Sequence, residues 1–300
     1  MYRPKTTIEQ WRILQAVVDH GGYAKAAKHL NKSQSSLNHA VAKLQTILGV
    51  QLLEVRGRKA YLTEAGGVML RRSRYLTENV QQLEALANNL HQNWEPEITL
   101  VVDLAYDRRY LYPALQAFLP ESRGTRLKVI DSVLTGSIEA VTTNSADLVI
   151  APAVPKGYLG EPLLESSFVA VCHPKHSIAQ LPSPIDPMAL SQHLQIVIKD
   201  TAHTPQENSG WLKSELRWTV SQFDSAIDLL LHGTGFSWLP LHKVERFIES
   251  GDLILLNING STHKRITSYL IVPQPDDMGP GTTLLRNALL AQSTLRLNIK

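Results

Sequence analysis

The chain has 300 residues, 43% of them apolar and 19% charged, the composition of an ordinary globular protein of roughly two domains. No run approaches the ~20 consecutive apolar residues of a membrane helix, and the opening MYRPKTTIEQWRILQ lacks the apolar core of a secretory signal. The single cysteine, Cys172, excludes an intramolecular disulfide and suits a reducing cytoplasm. The net charge of +3 is unevenly spread. Residues 1–94 hold 13 Lys and Arg against 6 Asp and Glu, whereas residues 95–300 hold 17 against 21. A basic N-terminal third on a mildly acidic remainder is expected where one domain meets a polyanion.

In chain order, IEQWRILQAVVD predicts a helix with Ile8, Trp11, Leu14, Val17 and Val18 on one side, stopped by Gly21-Gly22. A short helix, AKAAKHL, follows and ends near Asn31-Lys32. Ser33 then reads as the N-cap of a longer helix that ends at Gly49. In that helix Leu37, Val41, Leu44 and Leu48 form one apolar face, and no acid occurs from Gln34 through Leu48. Helix, short helix, tight turn, longer helix is the helix-turn-helix order.

The runs LLEV and AYLT flank Arg56-Gly57-Arg58-Lys59 and predict a hairpin with a basic tip. A proline-free helix then runs from about residue 64 to 92, roughly 40 Å long. Along it Leu76, Val80, Leu83, Ala87 and Leu90 alternate spacings of four and three, a narrow seam suited to a partner helix. Pairing with a second copy of the chain is the simplest way to keep that seam dry.

After Pro96 the pattern changes. EITLVVDLAY, RLKVID and ADLVIAP read as strands separated by the helices YLYPALQAFLPE and TGSIEAVTTNS, a βαβαβ rhythm that implies a parallel sheet. A second set follows: SSFVAVCHP, the PMALSQ helix, LQIVIKD, LRWTVS, the FDSAIDLLLHG helix, FSWLP, the VERFIES helix and LILLNI. RITSYLIVP is a late strand, and TTLLRNALLAQSTLRL is the closing helix. Two α/β lobes with several crossings leave a cleft at the strand ends.

The run AKAAKHLNKSQSSLNHAVAKLQTILGVQLLEVRGRKAYLTEAG resembles the N-terminal winged helix-turn-helix of LysR-type transcriptional regulators. Its most specific parts are AA-x-x-L-N-x-SQ-x-x-L, LGVQLL and GRK-x-x-LTEAG; later echoes are ADLVIAP, VAVCHPKHSIA and GTGFSWLP. The resemblance covers nearly the whole chain. It implies an α/β protein overall, with a winged helix-turn-helix at 1–63, a dimerising linker helix at 64–93 and a two-lobed, periplasmic-binding-protein-like effector domain at 94–300. Lobe I would take 94–160 and 266–300, and lobe II 161–265. Partners implied are double-stranded promoter DNA, a second copy of the chain, a dimer of dimers, a small-molecule effector and RNA polymerase, with no membrane. This chain departs from the family at three points. Ser35 stands where proline is common, His39 where arginine is frequent, and Val55 where the wing usually has arginine. Arg56 or Arg58 would have to take over that wing contact.

A helix entering the major groove buries one face on its own domain and offers hydrogen-bonding groups on the other. Gln34 can read adenine in bidentate fashion. Ser33, Ser35, Ser36, Asn38 and His39 can reach base edges or phosphates, and Lys43 a phosphate. Arg56, Arg58 and Lys59 suit phosphate or minor-groove contacts. Lys25 and Lys28 can touch phosphate or simply be solvated.

No G-x-S-x-G, P-loop or H-E-x-x-H motif is present, and no catalytic residue is assigned. Gly233-Thr234-Gly235 has Trp238 where a dinucleotide fingerprint needs its third glycine. Cys172-His173-Pro174-Lys175-His176 lacks a second Cys/His cluster, so neither metal nor cofactor is expected. The cleft is therefore read as a small-molecule effector site. Its strand-end segments are Asp103-Leu104-Ala105, Thr135-Gly136-Ser137, Lys199-Asp200-Thr201 and Ser221-Gln222-Phe223. By resemblance Thr135 and Ser137 sit where relatives bind effectors, although either hydroxyl could equally cap a helix. Trp218 and Phe223 could wall the cleft or, more simply, belong to the core. Asp103 and Asp200 disfavour a strongly anionic ligand. The alternative is a DNA-binding regulator with no small ligand, its cleft vestigial or used for protein contacts.

Overall fold

The computed structural model describes residues 2–56, 59–204, 214–260 and 263–297. Two compact units emerge, Met1–His91 and Gln92–Lys300. The first contains α1 (Ile8–Asp19), α2 (Tyr23–His29), α3 (Gln34–Leu48), the hairpin β1 (Leu53–Arg56) and β2 (Lys59–Leu62), and α4 (Glu64–His91). α1 starts at a capping box: the Gln10 N–H donates to the Thr7 hydroxyl while the Gln10 side chain accepts from the Thr7 N–H. α3 is capped by Ser33, whose Oγ accepts from the Ser36 N–H, and it ends at Gly49 with φ +68°, a left-handed residue of the kind that stops helices.

Leu37, Val41 and Leu44 are fully buried, packed with Leu14, Val17, Ala26 and Leu52, and each large side chain contributes roughly 1.5–3 kcal/mol. Gly66, of the LTEAG run, has a steric reason: a Cβ there would sit 2.0 Å from the Leu52 carbonyl oxygen, so only glycine lets α4 start against the base of the hairpin. α1 grips the first half of α4. Gln15 donates to Ser73 Oγ (3.0 Å) and Thr77 Oγ1 (3.2 Å), and Arg74 pairs with Asp19. Further along, Leu83 and Leu90 are 66% and 49% exposed, so most of the predicted seam is bare in a single chain.

The second unit is built on a nine-stranded sheet. Its strands are β3 (Glu97–Asp103), β4 (Arg126–Ser132), β5 (Leu148–Ala151), β6 (Gly160–Cys172), β7 (Gln195–Ile198), β8 (Arg217–Val220), β9 (Phe236–Pro240), β10 (Ile254–Leu255) and β11 (His263–Ile271). The order is β4-β3-β5-β11-β6-β9-β7-β8, with β10 pairing β6. The helices are α5 (Arg108–Phe118), α6 (Thr135–Thr142), α7 (Pro187–Ser191), α8 (Phe223–Leu231), α9 (Leu241–Glu249) and α10 (Pro280–Leu297). β3, β4 and β5 are parallel, as are β7 and β8. One apolar cluster joins α5 and α10 to β3 and β5, and another joins α8 and α9 to β6, β7 and β9.

The parallel rhythm does not extend through the middle of the sheet. β6 starts at Gly160, six residues before the predicted SSFVAVCHP, and runs antiparallel to β11. Its first half carries Glu161, Pro162 and Glu165, which mask a strand in the sequence; Glu161 is held by Arg286 at 2.6 Å. β6 and β11 carry the sheet from one lobe to the other, while LILLNI shortens to the two residues of β10.

Candidate nucleic-acid interface and interlobe cleft

Gln34, Ser35, Ser36, Asn38, His39 and Lys43 are all exposed on α3, opposite its fully buried leucines. Ser33 is exposed as well, but its hydroxyl serves the helix, accepting from the Ser36 N–H at 3.2 Å and lying 3.1 Å from Ser35 Oγ. Lys25, Lys28 and Lys43 have no ion-pair partner among the described residues. Nearby acids are neutralised within the unit: Glu9 by Lys32 (2.8 Å) and Arg12, Asp19 by Arg74, and Glu54 by Arg56 (2.8 Å).

Arg56 is thus tied to the carboxylate of its own strand, with its guanidinium 5.9 Å from the Tyr61 ring centroid. Arg58 lies outside the described residues, as does the side chain of Lys59. Gln45 joins α3 to the hairpin. Its Oε1 accepts from the N–H groups of Leu52 (2.7 Å) and Leu53 (3.0 Å), which fixes the start of the hairpin to the end of α3. A glutamine on a polar helix face carries no sequence signal for such a bond.

The second candidate site lies where β3, β4 and β7 end. Asp103 closes β3, in register with Ser132 at the end of β4. The Ala105 N–H donates to Asp103 Oδ1 at 2.8 Å. Burial pushes the Asp103 carboxyl up to about 7; the Ala105 and Leu134 N–H groups and Arg108 act against that, and Asp200 adds to it. Asp103 Oδ2 and Ser132 Oγ are buried and without a hydrogen-bond partner of good geometry. Leu134, just before α6, has φ +53°, a conformation that a branched side chain keeps only when its surroundings hold it.

Those surroundings are the segment after β7. Thr135 donates its N–H (3.2 Å) and its hydroxyl (2.5 Å) to Asp200 Oδ2. The Val133 N–H donates to Thr201 Oγ1 at 2.9 Å, and the His203 N–H donates to Glu139 Oε2 at 2.9 Å. A Cβ on Gly136 would lie 2.0 Å from Thr201 Oγ1, so glycine is required for this approach. Residues 199–203 therefore clasp the front of α6.

The structure brings Asp103, Ala105, Thr135, Gly136, Asp200 and Thr201 together. The remaining expected residues have other places. The fully buried Ser137 bonds back to the Leu134 carbonyl at 3.3 Å, Lys199 and Ser221 are exposed, and Leu104 and Phe223 pack in the α8–α9 core, where Phe223 meets Phe168 edge-on. Trp218, read more simply as core, is 54% exposed on β8. Nothing in the sequence singles out Ser132, Val133 and Leu134, because a serine at a strand end looks like any turn residue. Cys172 is fully buried, and desolvation pushes its thiol up to about 12, away from the thiolate that metals bind.

Two family models match the chain. Residues 8–67 match the bacterial regulatory helix-turn-helix protein, lysR family, and residues 91–294 match the LysR substrate binding domain. The chain is 32% identical over 261 residues to the HTH-type transcriptional regulator YeeY of Escherichia coli K12, covering 83% of this chain and 82% of the relative. It is 30% identical over 252 residues to the probable regulator YhaJ of the same organism, covering 82% and 84%. In fold it is similar to the full-length Vibrio cholerae virulence activator AphB, with a TM-score of 0.51, 16% identity, and 96% and 100% of the two chains covered. With a wing-bearing helix-turn-helix, a long helix and a two-lobed α/β domain all in place, the chain belongs to the LysR family of transcriptional regulators.

Proposed function

We propose that this regulator reads duplex promoter DNA with α3 and the β1–β2 wing, and that a small molecule bound in the interlobe cleft tunes that reading. The observation that carries the DNA half is the two-sidedness of α3: Leu37, Val41 and Leu44 are fully buried, while Gln34, Asn38, His39 and Lys43 are exposed with no acid among them. Such a helix can enter the major groove without electrostatic penalty. Support for the ligand half is the LysR substrate binding domain matched at 91–294 and the convergence of three strand ends on Asp103, Thr135 and Asp200.

On this reading residues 1–63 are the DNA-binding domain, 64–93 the linker and 94–300 the effector domain. The exposed seam of α4 holds two copies together, and effector domains join two such dimers. Each dimer then reads inverted half-sites spaced by multiples of a helical turn, in the cytoplasm where the DNA lies. Ligand binding acts by linkage, favouring one arrangement of the paired heads over another.

The test is footprinting of selected promoter fragments with wild type and Gln34→Ala. The variant should relax sequence choice at one position per half-site, losing roughly 1–3 kcal/mol there. Equal weakening on every sequence would reduce Gln34 to a backbone contact.

A further inference from the structure

If the interlobe cleft is the effector site, as the preceding reading holds, its residues also indicate the class of molecule it takes. Apart from the Ser132 hydroxyl, the donors named at the cleft are already in use. The Thr135 N–H and hydroxyl are spent on Asp200, the Val133 N–H on Thr201, the Ala105 N–H on Asp103 Oδ1, and Arg108 on Asp131 at 2.5 Å. Asp200 thus occupies the N-terminal end of α6, where an anionic ligand would otherwise find free N–H groups and a positive dipole end.

Asp200 is filled on both oxygens, by Thr135 and by the Ala202 N–H, but two other buried oxygens are not. Asp103 and Ser132 are partners in the β3–β4 register, 5% and 4% exposed, and neither Asp103 Oδ2 nor Ser132 Oγ has a hydrogen-bond partner of good geometry. An ionised carboxylate can only accept, and an unfilled buried acceptor is costly. The nearby charges are Asp103, Asp131 and Asp200 against the single guanidinium of Arg108, while Lys199 points to solvent as an exposed side chain. An anion entering here would face two carboxylates and a capped helix. A neutral polyol would supply donors but leave the charge unbalanced.

We propose that the cleft takes a small organic cation, an ammonium or guanidinium compound, held between Asp103 and Asp200 with Ser132 as a further acceptor. Such a ligand competes with Thr135 for Asp200, so its entry loosens the clasp of residues 199–203 on α6. That gives binding a direct mechanical consequence at the junction of the two lobes.

A pH signature follows. The groups facing Asp103 are Arg108 from α5, Asp200 from the segment after β7, and the Ala105 and Leu134 N–H groups; with its carboxyl near 7, Asp103 is partly protonated at neutrality. A cation binds the ionised form, so affinity rises from pH 6 to pH 8.

The experiment is calorimetry and thermal-shift titration of the full-length protein with putrescine, agmatine and guanidinium, alongside benzoate, succinate and ribose. At least one cation should bind, more tightly at pH 8 than at pH 6. Asp103→Asn should weaken it about thirtyfold or more, and Ser132→Ala, which removes only a hydroxyl, about threefold or more. Binding of benzoate, succinate or ribose with no response to any cation overturns the cation assignment and leaves the effector cleft standing. If no probe of any class binds while DNA binding is intact, the cation assignment is rejected and the effector reading loses its support as well.

Discussion

Thr135 gives both its backbone N–H and its hydroxyl to one carboxylate oxygen of Asp200, 65 residues away in sequence. The residue preceding α6 is Leu134, which has no side-chain acceptor for the helix's first N–H groups. Asp200 supplies that acceptor from another strand end. Asp200→Ala should therefore destabilise the second unit by roughly 1 kcal/mol, the usual cost of a lost cap. Hydrogen exchange at the first amides of α6 checks this, with faster exchange expected there and little change in α8 or α10. Unchanged exchange in α6 would mean the clasp holds no stability.

Gln45 plays the corresponding role in the first unit. Replacing it with Met keeps its bulk but leaves the Leu52 and Leu53 N–H groups without their acceptor. The expected loss is roughly 1–3 kcal/mol, read in a thermal melt. Affinity for DNA should fall by more than stability alone accounts for, because the hairpin loses its tie to α3. Equal stability and affinity in Gln45→Met would show that the hairpin is placed by its apolar contacts alone.

Leu83 is the most exposed leucine of the α4 seam. Leu83→Glu puts two carboxylates face to face if two copies pair along that helix. Sedimentation equilibrium should then show a shift toward smaller species, together with loss of cooperative binding to paired half-sites. An unaltered sedimentation profile would place the self-contact elsewhere.

Glu95 links the entry of the second unit to its closing helix. Its carboxylate accepts from the N–H groups of Gly281 (2.8 Å) and Thr282 (3.0 Å) at the start of α10. Burial alone would raise this carboxyl, but the hydrogen bonds from Thr282 and Gly281 outweigh it and hold it below the ordinary glutamate value. A depressed folded-state pKa contributes stability above the unfolded value and loses it as pH falls through the folded value. Glu95→Gln should flatten the acid limb of a stability-versus-pH curve below about pH 4.5, near the model-peptide range for glutamate. An acid limb identical to that of the wild type would remove Glu95 from the account.

Local features were legible in the sequence because they rest on local rules. The spacing of Leu37, Val41 and Leu44, the Ser33 cap and the Gly49 stop are all written within twenty residues, and α3 follows them. The strand ends that meet near Asp103, Thr135 and Asp200 followed from the alternation of strands and helices. Features that depend on distant partners were not legible. The bond from Val133 to Thr201, 68 residues apart, cannot be inferred from spacing. Phe223 could be core or cleft wall until its contact with Phe168 was seen. The charged first half of β6 looks like a loop in sequence, although β11 and Arg286 satisfy it.

The most direct measurement of the central claim is the salt dependence of binding by the full-length protein to promoter fragments selected from a genomic pool. The selected fragments should share inverted half-sites, and log affinity should fall linearly with log salt by about 0.9 per phosphate neutralised. Lys43→Ala should lower that slope by about one while leaving the preferred sequence unchanged. Fragments retained without any shared sequence, or an affinity indifferent to salt, would contradict the assignment of α3 and its wing to duplex DNA.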